Sequence, residues 1–164
     1  NGFTMNGRED DYEWSKPYMK NNQVFVVRGD SDINSEADLA GKNVEVQTDS
    51  SAEAALNDNS ELTSTFGSLT PVADYNTAFM DLESGAVDAI AMDDVVASYQ
   101  ITSRKADFKV LDDVIAAEEY GIGFKKGNTG LRDKVQATLE EMAADGTAAK
   151  ISEKWFGKDI TTIQ

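Results

Sequence analysis

The chain alternates short apolar runs with longer stretches in which apolar residues recur at helical spacing, a pattern that predicts strands followed by helices. Predicted strands cover residues 23–28, 43–47, 71–73, 89–92, 108–111 and 119–124. Predicted helices cover residues 35–39, 52–56, 77–82, 95–104, 131–145 and 148–156, and glycines at positions 41, 85, 146 and 157 mark helix ends. The alternation between residues 23 and 111 predicts an α/β fold built on a parallel sheet.

The run at residues 89–92 has the length of a strand buried on both faces, and two carboxylates, Asp93 and Asp94, follow it before a helical pattern begins. This order places the acids at the carboxyl end of a strand, the edge where open α/β folds bind their ligands. One aspartate can cap the helix, which leaves Asp93 to meet the ammonium group of a small ligand. Ordinary capping and turn roles explain both acids as well. Met92 can line a pocket or belong to the core.

A second polar turn follows the strand at residues 43–47 and leads through Gln47, Ser50 and Ser51 into a helix start. Free N–H groups and the helix dipole make such an end an anion site, and either serine can add a hydroxyl donor. Plain helix capping is the alternative. Because both turns follow strands of one predicted sheet, they can face one cleft, with a positive dipole on one side and a carboxylate on the other. That pairing suits a zwitterion.

Arg8 is the third candidate element of a binding site. A guanidinium fork binds a carboxylate through two parallel hydrogen bonds and is the usual choice for that task. Acidic residues follow it closely in the sequence, so an ordinary surface arginine is the alternative.

Composition narrows the possible chemistry. The chain has no cysteine and no histidine, which removes thiol nucleophiles, Ser-His-Asp triads, zinc fingers and imidazole acid-base catalysis. Its net charge of -15 argues against a nucleic-acid or anionic-membrane surface. No apolar run approaches the roughly 18 residues of a membrane span. The 164-residue chain begins at Asn1 and carries no signal peptide, which we interpret as a processed product or a fragment; no cofactor and no metal is predicted.

Six motifs occur in an order that is typical of one protein family. They are GFTMNGR at residues 2–8, SKPY at 15–18, ADLAGKNVEVQ at 37–47, AVDAIAMD at 86–93, EYGIGF at 119–124 and DGTAAKISEKWFG at 145–157. In this order they resemble the polar amino-acid-binding proteins of bacterial ABC importers, the glutamine-, histidine- and cystine-binding group of the family 3 solute-binding proteins. The resemblance runs over essentially the whole chain, and its most specific parts are the segments at residues 88–93 and 154–157.

The resemblance implies a type II periplasmic-binding-protein-like fold, in which two α/β lobes are joined by two crossing strands and the ligand lies between them. Residues 1–20 would be a remnant of lobe 1 with the first hinge strand, 21–117 a complete parallel-sheet lobe 2, and 118–164 the second hinge strand with closing helices of lobe 1. It also implies an extracytoplasmic protein, in the periplasm or lipid-anchored at the cell surface, that works with an ABC permease and is not an enzyme.

The resemblance also implies roles for particular residues, all of them contacts to an amino acid. The α-carboxylate would be clamped by Arg8 with help from Thr4 and the backbone around Gly2, and met from the other lobe by Ser51 with Ser50. Gln47 would lie near the ligand side chain, and Asp93 would accept the ammonium group.

The chain departs from the family pattern in three places. Asp49 stands where the family commonly has a glycine, which adds a carboxylate beside the expected anion site. The turn before Arg8 is one residue short. The family's chain starts well before Gly2, so lobe 1 is expected to be incomplete here. The closing helices would then expose an apolar face that favours self-association, domain swapping or a partner fragment, and this chain alone would bind amino acids weakly or not at all.

Two other functions remain open on the sequence. A dehydratase on the same fold would need a positioned acid or base, for which Asp49 and Asp93 are the candidates. A ligand-sensing domain of a receptor would need a membrane segment outside this sequence.

Overall fold

The computed structural model describes residues 2–104 and 106–163. Its strands are β1 (Gly2–Thr4), β2 (Glu13–Trp14), β3 (Met19–Arg28), β4 (Asn43–Gln47), β5 (Ser68–Val72), β6 (Ala89–Asp93) and β7 (Phe108–Phe124). Its helices are α1 (Ser51–Asp58), α2 (Ser60–Thr63), α3 (Tyr75–Ser84), α4 (Asp94–Arg104), α5 (Thr129–Ala144) and α6 (Thr147–Phe156), with a 3-10 turn at Glu36–Leu39.

The chain divides into two units, and two strands run through both. One unit holds the chain up to Asn21 together with the part from Ala117 onward, and the other is Asn22–Ala116. The strands β3 and β7 each begin in one unit and end in the other. The units are therefore connected by extended backbone at residues 21–22 and 116–117.

In the unit Asn22–Ala116, β4 pairs in parallel with β5 on one side and with β6 on the other. β6 also pairs with β3, but antiparallel, and β7 follows β3 in the sheet. The predicted parallel arrangement therefore holds for β4, β5 and β6 and fails for β3. Hydrophobic periodicity does not carry strand direction, so the sequence pattern could not distinguish the two pairings.

Both faces of this sheet are covered by apolar side chains. One cluster joins strand residues to α1 and includes Phe25, Val27, Val44, Val46, Ala52, Leu56, Ala89 and Ala91. The other joins strand residues to α3 and α4 and includes Val26, Phe79, Leu82, Ile90, Met92 and Ala97. Burial on two faces explains why the runs at residues 24–27 and 89–92 are continuously apolar instead of alternating.

The strand β7 corrects the prediction of two separate strands at residues 108–111 and 119–124. It is continuous over 17 residues, through a segment that contains Asp112, Asp113 and Glu118. Acidic residues interrupt the apolar signal there, whereas backbone pairing maintains the strand. Its last part pairs antiparallel with both β1 and β2. A Cβ atom at Gly121 would overlap the Met5 side chain, so the glycine leaves room for that side chain against β7.

In the other unit, the helices α5 and α6 pack on each other and leave apolar side chains exposed. The exposed fractions are 48% for Leu131, 47% for Ile151 and 59% for Trp155. Apolar side chains are thus exposed on both closing helices. Among the described residues, no helix is long and apolar enough to cross a membrane.

Candidate functional site

The turn between β4 and α1 is built as a helix cap. Ser50 occupies the N-cap, and its hydroxyl oxygen accepts a hydrogen bond of 3.1 Å from the Glu53 N–H. The Glu53 carboxylate in turn accepts one of 2.7 Å from the Asp49 N–H. The capping alternative is therefore realised for Ser50. A serine hydroxyl keeps its hydrogen when it accepts, so Ser50 can still donate to an anion in front of the helix.

Asp49 has the backbone conformation of the glycine that the resemblance leads one to expect at this position. Its φ is 59°, in the left-handed region that glycine adopts freely and that aspartate tolerates better than most residues. The turn thus keeps its shape without the glycine. The additional carboxylate next to the start of α1 is therefore the difference from the expected glycine that matters for an anion site.

Gln47 and Ser51 flank this turn. The Gln47 side chain donates a hydrogen bond of 3.3 Å to the carbonyl oxygen of Ala73, which ties the end of β4 to the loop after β5. Ser51 is the first residue of α1. Since β4 and β6 are parallel neighbours, with Val46 opposite Ala91, this turn and the end of β6 emerge at the same edge of the sheet.

Asp93 ends β6, and its carboxylate is held from the neighbouring strand. The side-chain amide of Gln23, on β3, donates a hydrogen bond of 3.0 Å to Asp93 Oδ1. Asp94 is the first residue of α4, and its Oδ2 accepts a bond of 3.0 Å from Asn22. The carboxylate of Asp94 therefore belongs to the first helical turn, where it complements the helix dipole.

Met92 does not line an open site in this unit. Its side chain is completely buried in the cluster that packs against α3 and α4. The prediction of Met92 as a pocket residue is wrong, and the core alternative is correct. The reason is the pleat of β6, which directs successive side chains to opposite faces of the sheet.

The remaining candidates lie in the other unit. Thr4 ends β1 and is buried, and its hydroxyl donates a hydrogen bond of 2.9 Å to Glu118 Oε2. The side-chain amide of Asn21 donates to the same oxygen at 3.1 Å. Gly2 pairs through its backbone with Ile122 on β7. Glu118 is thus a buried carboxylate shared by two donors.

Arg8 lies on the turn between β1 and β2, with an exposed side chain. Its N–H donates to the Met5 carbonyl oxygen at 2.9 Å, and its own carbonyl oxygen accepts from the Trp14 indole at 3.0 Å. The backbone from which the guanidinium projects is therefore fixed at two points, although the turn is shorter than the family pattern.

The sequence reasoning missed Gln23 and Glu118. Gln23 is completely buried and Glu118 is 9% exposed, yet both are polar. A polar residue directly before the apolar run at residues 24–27 was the available signal for Gln23. For Glu118 there was none, because a single acidic residue at the start of the expected second hinge strand does not indicate burial.

Comparison with known proteins gives a consistent result. A profile of the bacterial extracellular solute-binding proteins, family 3, matches residues 1–158. The L-cystine-binding protein TcyA of Bacillus subtilis (strain 168) is 32% identical over 157 residues, which are 94% of this chain and 56% of that protein. The L-cystine-binding protein TcyJ of Escherichia coli (strain K12) is 31% identical over 156 residues, 94% of this chain and 57% of the relative. The chain therefore spans a little more than half the length of these curated relatives.

Solved structures show the same similarity. A substrate-binding protein of an ABC uptake transporter from Streptococcus pneumoniae, with bound histidine, superposes with a TM-score of 0.85 at 30% identity, over 96% of this chain and 66% of that one. An ancestral arginine-binding protein bound to glutamine gives a TM-score of 0.78 at 35% identity, over 95% of this chain and 69% of that one. These similarities confirm the predicted periplasmic-binding-protein-like fold.

Proposed function

Because the chain belongs to family 3 of the bacterial extracellular solute-binding proteins, we propose that it forms part of the amino-acid-binding component of an ABC importer. The relatives named above are described as binding cystine, histidine, arginine or glutamine. We extend this to a polar amino acid as the ligand class of this protein, recognised through its ammonium and carboxylate groups.

The observation that carries the proposal is the placement of opposite chemistry at one sheet edge. Asp93 offers a carboxylate at the end of β6, and the start of α1 offers Ser50, Ser51 and a helix N-terminus after the parallel neighbour β4. A carboxylate attracts an ammonium group, and a helix N-terminus with hydroxyls attracts a carboxylate. In this proposal Asp93 accepts the ammonium group and Gln47 lies near the ligand side chain.

The unit that contains Gly2, Thr4 and Arg8 supplies the other contacts. Arg8 clamps the α-carboxylate. Thr4, whose hydroxyl donates to Glu118, and the backbone around Gly2 help from the same unit.

The proposal extends to location and assembly. Residues 21–117 would be lobe 2, close to the unit Asn22–Ala116, and residues 1–20 and 118–164 would belong to lobe 1 and its hinge strands. The protein would act outside the cytoplasm and deliver its ligand to an ABC permease that recognises the ligand-bound form. The exposed side chains of Leu131, Ile151 and Trp155 support self-association or a domain swap through the closing helices.

The dehydratase and receptor alternatives are not favoured by any contact. The Asp93 carboxylate is held by the Gln23 amide, an arrangement that suits a fixed charge receiving an ammonium group. Asp49 is a turn residue whose N–H serves the cap of α1. Binding alone accounts for both residues, and no catalytic step is required of them.

A binding screen tests the proposal. The protein at its full encoded length, including any residues outside this sequence, is titrated calorimetrically with L-arginine, L-glutamine, L-histidine and L-cystine. Prephenate is incubated with it as an enzyme control. Saturable binding of at least one amino acid without turnover of prephenate supports the proposal. Absence of binding for the whole panel, or turnover, contradicts it.

A further inference from the structure

Two neighbouring residues of β3 each hold one of the two adjacent aspartates that end β6 and begin α4. Gln23 donates to Asp93 and Asn22 donates to Asp94, each through a side-chain amide at 3.0 Å. Because successive residues of a strand point to opposite faces, the two pairs lie on opposite faces of β3. The chemistry of the two pairs is the same, and only one of them includes the proposed ammonium acceptor.

The pairing of Gln23 with Asp93 follows from the register of the sheet. The two residues are directly opposite each other in the antiparallel ladder of β3 and β6. Opposite residues of such a ladder have Cβ atoms about 5 Å apart on the same face, a gap that a glutamine side chain spans. Gln23 is completely buried, so its own rotamer is fixed by packing.

From this geometry we infer that Gln23 is a positioning residue for ammonium recognition, which it serves by fixing the orientation of the Asp93 carboxylate before the ligand arrives. The inference rests on the proposed function. The amide holds Oδ1 before the ligand binds, so the carboxylate is already oriented when the ammonium group arrives. Less ordering of the side chain is then required on binding, which favours affinity.

Replacing Gln23 is expected to weaken the binding of ligands that carry an ammonium group, and not of ligands that lack one. Ordering one side chain on binding weakens affinity by about 10-fold at most, and loss of a hydrogen bond to a charged group has a similar effect. A ligand that carries a hydroxyl in place of the ammonium group gives Asp93 no charge to meet. Its affinity should therefore be nearly independent of Gln23.

The test replaces Gln23 in the protein at its full encoded length, including any residues outside this sequence. Gln23→Met keeps the volume of the buried side chain but removes its donor, and Gln23→Leu removes the donor with a second apolar side chain. Asn22→Leu is the matched control, because it removes the equivalent bond to Asp94 on the other face of β3. The probe is the tightest binder among L-arginine, L-glutamine, L-histidine and L-cystine, measured by calorimetry beside its α-hydroxy counterpart.

We expect both Gln23 variants to bind the amino acid about 10-fold more weakly than the wild type, with less than about a 2-fold change for the α-hydroxy acid and for Asn22→Leu. Equal loss for both ligands, an equal effect of Asn22→Leu, or no loss at all would overturn the inference. If both Gln23 variants lose the native melting transition, Gln23 is a structural residue only and the inference also fails. Absence of amino-acid binding by the wild type would instead contradict the proposed function.

Discussion

The carboxyl group of Glu45, in the middle of β4, is buried beside the charge of Asp81 on α3. Glu45 is 6% exposed and lies on the sheet face opposite to Val44 and Val46, next to its cross-strand partners Thr70 and Ile90. A like charge nearby and burial both disfavour the ionised form of a carboxyl group. Burial, and then the charge of Asp81, raise the pKa of Glu45 above its ordinary value of 4.5.

This pair predicts a stability contribution that decreases with rising pH. A carboxyl group whose pKa is raised by folding stabilises the native state fully below its unfolded pKa, and the contribution is lost as the pH rises through the folded pKa. Glu45→Gln keeps the shape of the side chain, removes its negative charge from beside Asp81 and removes the titration. We expect it to raise the free energy of unfolding at pH 7 by about 1 kcal/mol.

The measurement is urea unfolding of the wild type and the variant between pH 4 and pH 8. Glu83→Gln is the control, because it removes the same charge from an exposed side chain of α3, the helix that carries Asp81. The difference between Glu45→Gln and wild type should increase with pH. A constant difference, or one that matches the control, would show that Glu45 is ionised throughout.

Replacement of Asp93 tests the proposed ammonium acceptor. Asp93→Asn removes the charge with almost no change of shape, and it should weaken amino-acid binding by about 100-fold, since a hydrogen bond between ionised groups is roughly twice as strong as a neutral one. The melting temperature should remain close to that of the wild type. Calorimetric titration of the variant gives the affinity.

Asp94→Asn is the control for that experiment. Its side chain lies in the first turn of α4 and is held by Asn22, so the expected change in affinity is less than about 3-fold. Loss of binding in Asp94→Asn but not in Asp93→Asn would mean that the two roles are exchanged.

Arg8 should bind the ligand carboxylate through its fork geometry and not only through its charge. Arg8→Lys retains the charge but not the two parallel donors, and we expect a loss of about 10-fold in affinity for an amino acid. The amide derivative of the same amino acid, which has no α-carboxylate, should show a much smaller change. Arg28→Lys, at the far end of β3, serves as the control, and an equal effect of the two substitutions would exclude a specific clamp.

Asp49 allows a stabilising change. Its φ of 59° costs a residue with a side chain roughly 1 kcal/mol relative to glycine, so Asp49→Gly should stabilise the protein by up to about that amount. Both Asp49→Gly and Asp49→Asn also remove a negative charge beside the start of α1 and should improve carboxylate binding. Thermal unfolding and calorimetry separate the two effects.

Asparagine keeps the tolerance for this backbone conformation without the charge, so Asp49→Asn should improve affinity with little change in stability. If neither variant changes affinity, the Asp49 carboxylate points away from the ligand.

Much of the local structure was predictable because it depends on neighbours in the sequence. The strand at residues 43–47 has the predicted bounds, and α6 begins one residue before its predicted start at residue 148 and ends at the predicted Phe156. Ser50 caps α1 through a residue three positions later. In each case the deciding hydrogen bonds and turn conformations involve residues within a few positions, so composition and spacing carry the information.

The candidate site was only partly predictable, because its side chains are arranged by contacts between distant segments. Gln23 and Asp93 are 70 positions apart and meet through the register of β3 and β6. Which face of β6 carries Met92 is set by that same register, and a shift of one residue would move Met92 from the cluster with α3 and α4 to the cluster with α1.

The order of the elements and the caps of the helices follow from local spacing. The types of group available to a ligand follow from side-chain chemistry, so the sequence is enough to predict all of these. The tertiary structure alone decided that β3 runs antiparallel to β6, that β7 is continuous and that Gln23 fixes Asp93. Strand direction and register are properties of pairing between segments remote in sequence, and the free energy of that pairing comes from burial on both faces of the sheet.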